Sequence, residues 1–260
     1  MRRGFSLVEL SIVLVILGLL TGGILAGKSL IRASELRSVA TEYQRWVTAT
    51  YTFREKYMDL PGDFRDATRV WGLMDSTVSV YCTSISGAAL NPNGTGACDG
   101  TGDGIIDNNG YAAPGANRAA ERYQYWRHLA LAGLIEGTYN GKSGAGSHDH
   151  NPGVNTPTSK FTNAFWGTYY NATAWGFEFD LGAKRTNNGP VDPAFRSEEA
   201  WNLDTKLDDG KPRQGKIYVR SDATNCYLPN VGNVTDPTAE YLLSDSGINC
   251  AFTFPRVFGF

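Results

Sequence analysis

Between Gly4 and Gly27 the chain reads GFSLVELSIVLVILGLLTGGILAG, and the one charged side chain in that run is Glu9. A bilayer-spanning helix needs about 20 apolar residues, which this run supplies. Arg2 and Arg3 sit on its short flank, and basic flanks stay on the cytoplasmic side, so the bulk of the chain is expected beyond the membrane. A cleaved secretory signal would have a shorter apolar region and a small-residue site, which Ile24-Leu25-Ala26 imitates poorly. A plain signal anchor fits the length but gives no reason for Glu9. A carboxylate inside the apolar layer costs about 2.5–3.5 kcal/mol on insertion scales and calls for a partner. No Lys, Arg or His lies between Gly4 and Gly27. A cut after Gly4 would expose an α-ammonium on Phe5, four residues from Glu9, and the same group on a neighbouring copy could meet it equally well. The plain alternative is a glutamate at the membrane edge, protonated or snorkelling to water.

Downstream the pattern changes but the helix is expected to continue. Leu36, Val39, Tyr43, Trp46, Val47, Thr50, Phe53 and Tyr57 recur at steps of three and four, with Arg37, Glu42, Gln44, Arg45, Arg54, Glu55 and Lys56 between them. Asp59-Leu60-Pro61-Gly62 reads as the stop. A helix from about Phe5 to Tyr57 would run about 80 Å at 1.5 Å per residue. Its second half needs a sheet to pack on. Trp175, Phe177, Phe179 and Leu181 alternate with polar residues or glycine, Ile217 and Val219 mark a second strand, and Phe252 and Phe254 a third. A second helix is expected from about Ala119 to Ile135 and a third from Asp192, as N-cap before Pro193, to about Leu207. Residues 83–117 and 140–165 read as loops. The fold class is α+β, an antiparallel sheet head with long loops on a helical stalk. With 42% hydrophobic residues the chain can bury a core, and 24 basic against 26 acidic residues exclude a nucleic-acid coat.

MRRGFSLVEL, Met1 to Leu10, resembles the class III signal of type IV pilins and of the pseudopilins of type II secretion systems. The resemblance is close over about the first 30 residues and holds in pattern over the next 30. It implies cleavage between Gly4 and Phe5 by a prepilin peptidase on the cytoplasmic side, N-methylation of Phe5, and a Glu9 that neutralises the N-terminal amine of an adjacent subunit during assembly. It implies the domain order 1–4 leader, 5–27 transmembrane and filament-core helix, 28–58 amphipathic continuation and 59–260 periplasmic pilin-like head. Implied partners are other copies or related pilin subunits, the peptidase and an inner-membrane assembly platform. Many major subunits of that family carry a proline where this chain has Ala26, a departure that favours an accessory or minor subunit. The expected role is a type II secretion pseudopilus subunit. The alternatives are a type IV pilin for adhesion, DNA uptake or motility, and a membrane-anchored, calcium-stabilised binding module that never polymerises.

The four cysteines all follow the membrane segment, in a compartment where disulfides persist. Three pairings exist; Cys82 with Cys98 and Cys226 with Cys250 each bracket a compact loop and are preferred. In Asp99-Gly-Thr-Gly-Asp-Gly-Ile-Ile-Asp, hard oxygens at Asp99, Thr101, Asp103 and Asp107 make calcium the candidate cofactor. The twelfth position is Gly110 rather than glutamate, so a last ligand would come from Asn108, Asn109 or Glu121. The alternative is a Gly/Asp turn with solvated carboxylates. His148-Asp149-His150 has metal-ligand letters in a Gly/Ser/Asn loop and reads as solvated. No Gly-x-Ser-x-Gly or His-Glu-x-x-His motif is present, so no catalytic residue is assigned.

Overall fold

The computed structural model describes residues 6–74, 95–106, 119–146, 148–171, 176–220, 225–229 and 235–255. In chain order the elements are α1 Leu7–Tyr57, α2 Ala67–Trp71, α3 Glu121–Leu131, β1 Phe165–Asn171, β2 Gly176–Gly182, β3 Phe195–Arg196, α4 Ser197–Leu207, β4 Arg213–Gln214, β5 Ile217–Val219, β6 Tyr227–Leu228, β7 Glu240–Tyr241, β8 Ile248–Cys250 and β9 Phe252–Pro255.

Helix α1 runs unbroken for 51 residues, about 77 Å at 1.5 Å per residue. Ser6 caps its start, its hydroxyl accepting from the Val8 N–H at 3.3 Å. Met58 ends it in the left-handed conformation, its N–H donating to the Arg54 carbonyl, and Pro61 forbids resumption. The helix has two environments. From Leu7 to Ile31 its large apolar side chains stand exposed. From Leu36 onward one stripe is buried, comprising Leu36, Val39, Glu42, Trp46, Ala49, Thr50 and Phe53. Tyr43, Val47 and Tyr57 pack half-buried beside it.

That stripe lies on a five-stranded antiparallel sheet of order β1-β2-β9-β5-β4. Register places Phe179 opposite Phe254 and Leu181 opposite Phe252, so one face of β2 and β9 is continuously apolar. Tyr43 stacks on Phe254 with ring centroids 4.6 Å apart. Trp46 meets Trp126 of α3 edge to face at 5.4 Å. Fully burying a large apolar side chain contributes roughly 2 kcal/mol, so Leu36, Val39, Trp46 and Phe53 alone hold the stalk to the head firmly.

Two expectations are corrected and one strand is added. Helix α4 begins at Ser197, not after Asp192, because Asp192 exchanges both backbone hydrogen bonds with Ala183, and buried Phe195 pairs with Cys250. Helix α3 ends at Leu131, and Gly133 two residues on takes φ +72°. Strand β1 was not expected: Phe165, Trp166 and Thr168 are all buried, so both faces are covered and no alternation marks it.

Helix α3 is covered all round, since every residue from Glu121 to Leu129 is buried. Its polar groups are therefore spent inside the head. Gln124 accepts from the Cys98 N–H at 3.0 Å and donates to the Gly141 carbonyl at 2.8 Å, while Arg127 donates to the carbonyls of Gly96 and Tyr139. The helix acts as a polar hub that holds the long loops in place.

Candidate functional site

The N-terminal turn of α1 is a capping box. Glu9 Oε2 accepts the Ser6 N–H at 2.9 Å while Ser6 caps from the other side. Gly4 and Phe5 lie outside the described residues. Glu9 thus reaches back to the residue that directly follows Phe5, and an ammonium created by a cut at Gly4 would arise beside it. The carboxylate also has a favourable place at the positive end of the helix dipole. Ser6 was missed by the sequence reading, although Ser6-Leu-Val-Glu9 ahead of an apolar run carries the signal. Among the described residues α1 is the one helix long and apolar enough to cross a membrane by length and composition, and no residue of its apolar window is buried.

Where the stalk enters the head, two side chains fasten it. Arg32 binds Glu199 of α4 through Nε and Nη2, at 2.5 and 2.9 Å, and reaches Glu35 through Nη1 at 2.9 Å. Its guanidinium also lies 3.8 Å from the centre of the Phe161 ring. Nearly three turns beyond Arg32, Glu42 was expected on the polar side and is instead buried. Its carboxylate accepts from Ser159 Oγ at 2.7 Å, the Lys160 N–H at 2.8 Å and the Trp166 indole N–H at 2.7 Å. The loop before β1 and the edge strand are thereby locked to the helix.

The acidic loop folds around the side chain of Asp63. Asp63, almost fully buried, accepts from the N–H groups of Gly102, Asp103 and Gly104 and from Thr101 Oγ1. Asp99 is turned away to α2, its two oxygens accepting from the Thr68 N–H and hydroxyl at 2.7 and 2.8 Å. Asp103 accepts from the Ile105 N–H at 2.9 Å, and Glu121 accepts from the Thr101 N–H at 2.8 Å. Of the expected calcium ligands, Asp99, Thr101 and Asp103 make these hydrogen bonds within the head; Asp107 lies outside the described residues. A different carboxylate group, Asp204, Asp208 and Asp209, brings oxygens within 4.8 Å of one another at the end of α4. All three are already engaged, Asp209 by the Lys211 N–H at 2.8 Å. Asp204 accepts from the Tyr241 hydroxyl at 2.7 Å and the Gly210 N–H at 3.2 Å, and Asp208 from Ile217 N–H. Burial raises Asp204 to about 7.

Cys226 and Cys250 are joined, Cα atoms 5.2 Å apart, tying the β6 edge to β8. The expected Cys82–Cys98 bond lies outside the described residues through Cys82. His128 is a core residue. Its Nδ1 accepts from the Gly62 N–H at 2.9 Å and its Nε2 lies 3.0 Å from the Cys98 carbonyl, while burial pushes it down to about 3.

These observations are a bare apolar half-helix, a glutamate in its first turn and an α+β head clasping the other half. Residues 1–25 match the prokaryotic N-terminal methylation motif. This is the class III prepilin signal of type IV pilins and pseudopilins. No curated protein and no solved structure matches the chain. The prepilin signal together with the long helix and sheet head supports a pilin-like structural subunit, served by prepilin peptidase and other pilin subunits, rather than an enzyme.

Proposed function

We propose that the chain is a subunit of a type II secretion pseudopilus, in an accessory rather than bulk position. A prepilin peptidase cuts between Gly4 and Phe5 and methylates Phe5; the product waits in the inner membrane with its head in the periplasm and is then drawn into the filament. The observation that carries this reading is the bare segment from Leu7 to Ile31 with Glu9 in its first turn. Such an apolar surface is stable only in lipid or against other helices. Packing of these faces supplies most of the assembly energy, and the Glu9–ammonium pair sets the register. The accessory position is supported by Ala26, since α1 passes through Gly22, Gly23 and Gly27 without interruption.

The test has two readouts. Mass spectrometry of the mature chain is expected to find a methylated phenylalanine at residue 5, and an intact Met1 or a start near Gly27 ends the proposal. Glu9→Ala is expected to be processed normally yet fail to enter filaments, and wild-type incorporation of that variant would refute the role of Glu9. Loss of protein secretion with retained surface fibres in a deletion strain separates the pseudopilus from a type IV pilus.

A further inference from the structure

Where the bare half of α1 enters the head, a groove of about 580 Å³ opens along one side of the helix. Ser34, Arg37, Ser38, Thr41 and Arg45 form its floor, at steps of three and four residues that keep them on one face. Segments 136–139 and 157–160 form its walls. Continued toward the N-terminus by the same steps, that face passes through Ile31, Gly27, Ile24 and Leu20. Ile31, Ile24 and Leu20 all stand exposed. The groove is therefore the polar, head-side end of an apolar strip that runs down the membrane-spanning segment.

Five charged groups line it: Glu42, Glu136, Arg37, Arg45 and Lys160. Glu42 is taken up by Ser159, the Lys160 N–H and Trp166. Arg45 lies 3.8 Å from Glu136 and over the Trp46 ring. Arg37 and Lys160 are exposed, and among the described residues their side chains make no ion pair. Side chains lean toward the N-terminus of their helix, here the membrane end, so Arg37 is carried toward the bilayer. It follows Ile31 by six residues, about 9 Å of rise. The headgroup layer is about 5–8 Å thick on each side of the hydrocarbon, and the length of an arginine side chain closes the difference. The hydroxyls are set as acceptors. Ser38 Oγ donates to the Ser34 carbonyl at 3.0 Å and Thr41 Oγ1 to the Arg37 carbonyl at 3.2 Å, which leaves both oxygens with lone pairs to offer.

We propose that this groove binds the headgroup of an anionic phospholipid from the head-side leaflet, of the phosphatidylglycerol class. Arg37 and Lys160 hold the phosphate, the glycerol hydroxyls donate to Ser38 and Thr41, and the acyl chains lie along Ile31, Gly27 and Ile24. Guanidinium and ammonium groups both suit a phosphate. A choline headgroup fits worse, because it brings no O–H donor to the hydroxyls and sets a fixed cation beside two others. The site acts on the membrane-resident chain. It rests on α1 spanning the membrane and is independent of filament assembly.

The experiment reconstitutes the full-length chain in nanodiscs of phosphatidylcholine, alone or mixed in equal amounts with phosphatidylglycerol. Native mass spectrometry identifies the retained lipid, with free glycerol phosphate as competitor. Phosphatidylglycerol is expected to be retained in preference to phosphatidylcholine. Arg37→Gln and Lys160→Gln, both at exposed positions, are each expected to cut that preference about fivefold, and together about thirtyfold. Lys28 lies nine residues before Arg37, on the opposite side of the helix, so Lys28→Gln is expected to change it by less than about twofold. A photoreactive benzophenone side chain placed at Thr41 is expected to couple to lipid. Equal retention of the two lipids, an unchanged preference in the Arg37→Gln, Lys160→Gln double variant, or a loss in Lys28→Gln as large as in Arg37→Gln would overturn the proposal. So would cross-links from position 41 to a second copy instead of lipid, or full competition by free glycerol phosphate, which would make the groove a soluble-anion site. A chain that stays out of both nanodiscs ends the membrane reading and this proposal together, whereas one that inserts without lipid preference ends this proposal alone.

Discussion

Glu42 is the sharpest test of how stalk and head are joined. On the sequence pattern it belongs among the polar residues of a solvated helix face, and its replacement there would change stability by no more than about 0.5 kcal/mol. In the structure it is 8% exposed and takes three hydrogen bonds, from Ser159, Lys160 and Trp166. Glu42→Ala leaves the indole N–H of Trp166, a fully buried residue, without an acceptor, and with it the Lys160 N–H. Ser159 can turn its hydroxyl to water. Two stranded donors at about 1–3 kcal/mol each, with the lost packing of the side chain, give about 3–5 kcal/mol. For a domain of this size that is a fall of about 10 °C in melting temperature. Glu42→Gln keeps one acceptor oxygen but turns an amide donor toward other donors, and about half the loss is expected. Chemical denaturation of the full-length chain in detergent, followed by tryptophan fluorescence, measures both. A Glu42→Ala loss below 1 kcal/mol would refute the account, because water would then have to reach Trp166 Nε1 in the folded protein.

Arg32→Ala removes a two-point pairing with Glu199 and a ring contact with Phe161, all partly exposed, so the expected cost is about 1–2 kcal/mol after solvent screening. Hydrogen exchange should rise in α4 while the sheet stays protected, and uniform protection would contradict the fastening role. His128 is neutral in the fold, its value pushed down to about 3 by burial and by the neighbouring charge of Arg127. The unfolded chain binds that proton near pH 6.5, so the stability it supports is complete above pH 6.5 and declines as pH falls toward 3. Asp204 and Glu178, both raised by burial, act in the opposite sense. The stability advantage of wild type over His128→Asn is therefore the quantity to follow. It should shrink by about 1.4 kcal/mol between pH 7.5 and 5.5, and a constant gap would mean that the ring titrates freely. For the acidic loop we infer that the oxygens of Asp99 and Thr101 are committed to hydrogen bonds, so EGTA or millimolar calcium should move the melting temperature by less than about one degree. A rise of several degrees would show that the loop binds calcium.

Some of this architecture is local and some is not. Apolar run length, the flanking arginines and one glutamate at a fixed distance from a glycine are properties of a continuous segment. Membrane-spanning length, helix continuity and the prepilin signal were therefore readable from residues 1–57. The strands at 176–182, 217–219 and 252–255 were readable in part because hydrophobic alternation is also local. Strand β1 was not, since a strand covered on both faces loses its period of two. The fates of Glu42, Asp99 and His150 were illegible for a further reason. Each was a polar residue in a polar-looking context, and each is buried by partners 117, 31 or 38 residues away: Ser159, Thr68 and Asn188. A buried polar group is stable only when distant segments bring matching donors or acceptors to it, and no pattern along the chain encodes that meeting. The helix's membrane-spanning length and bare apolar surface are written in its own residues; what the head encloses was decided only when the sheet, α3 and the loops closed on one another.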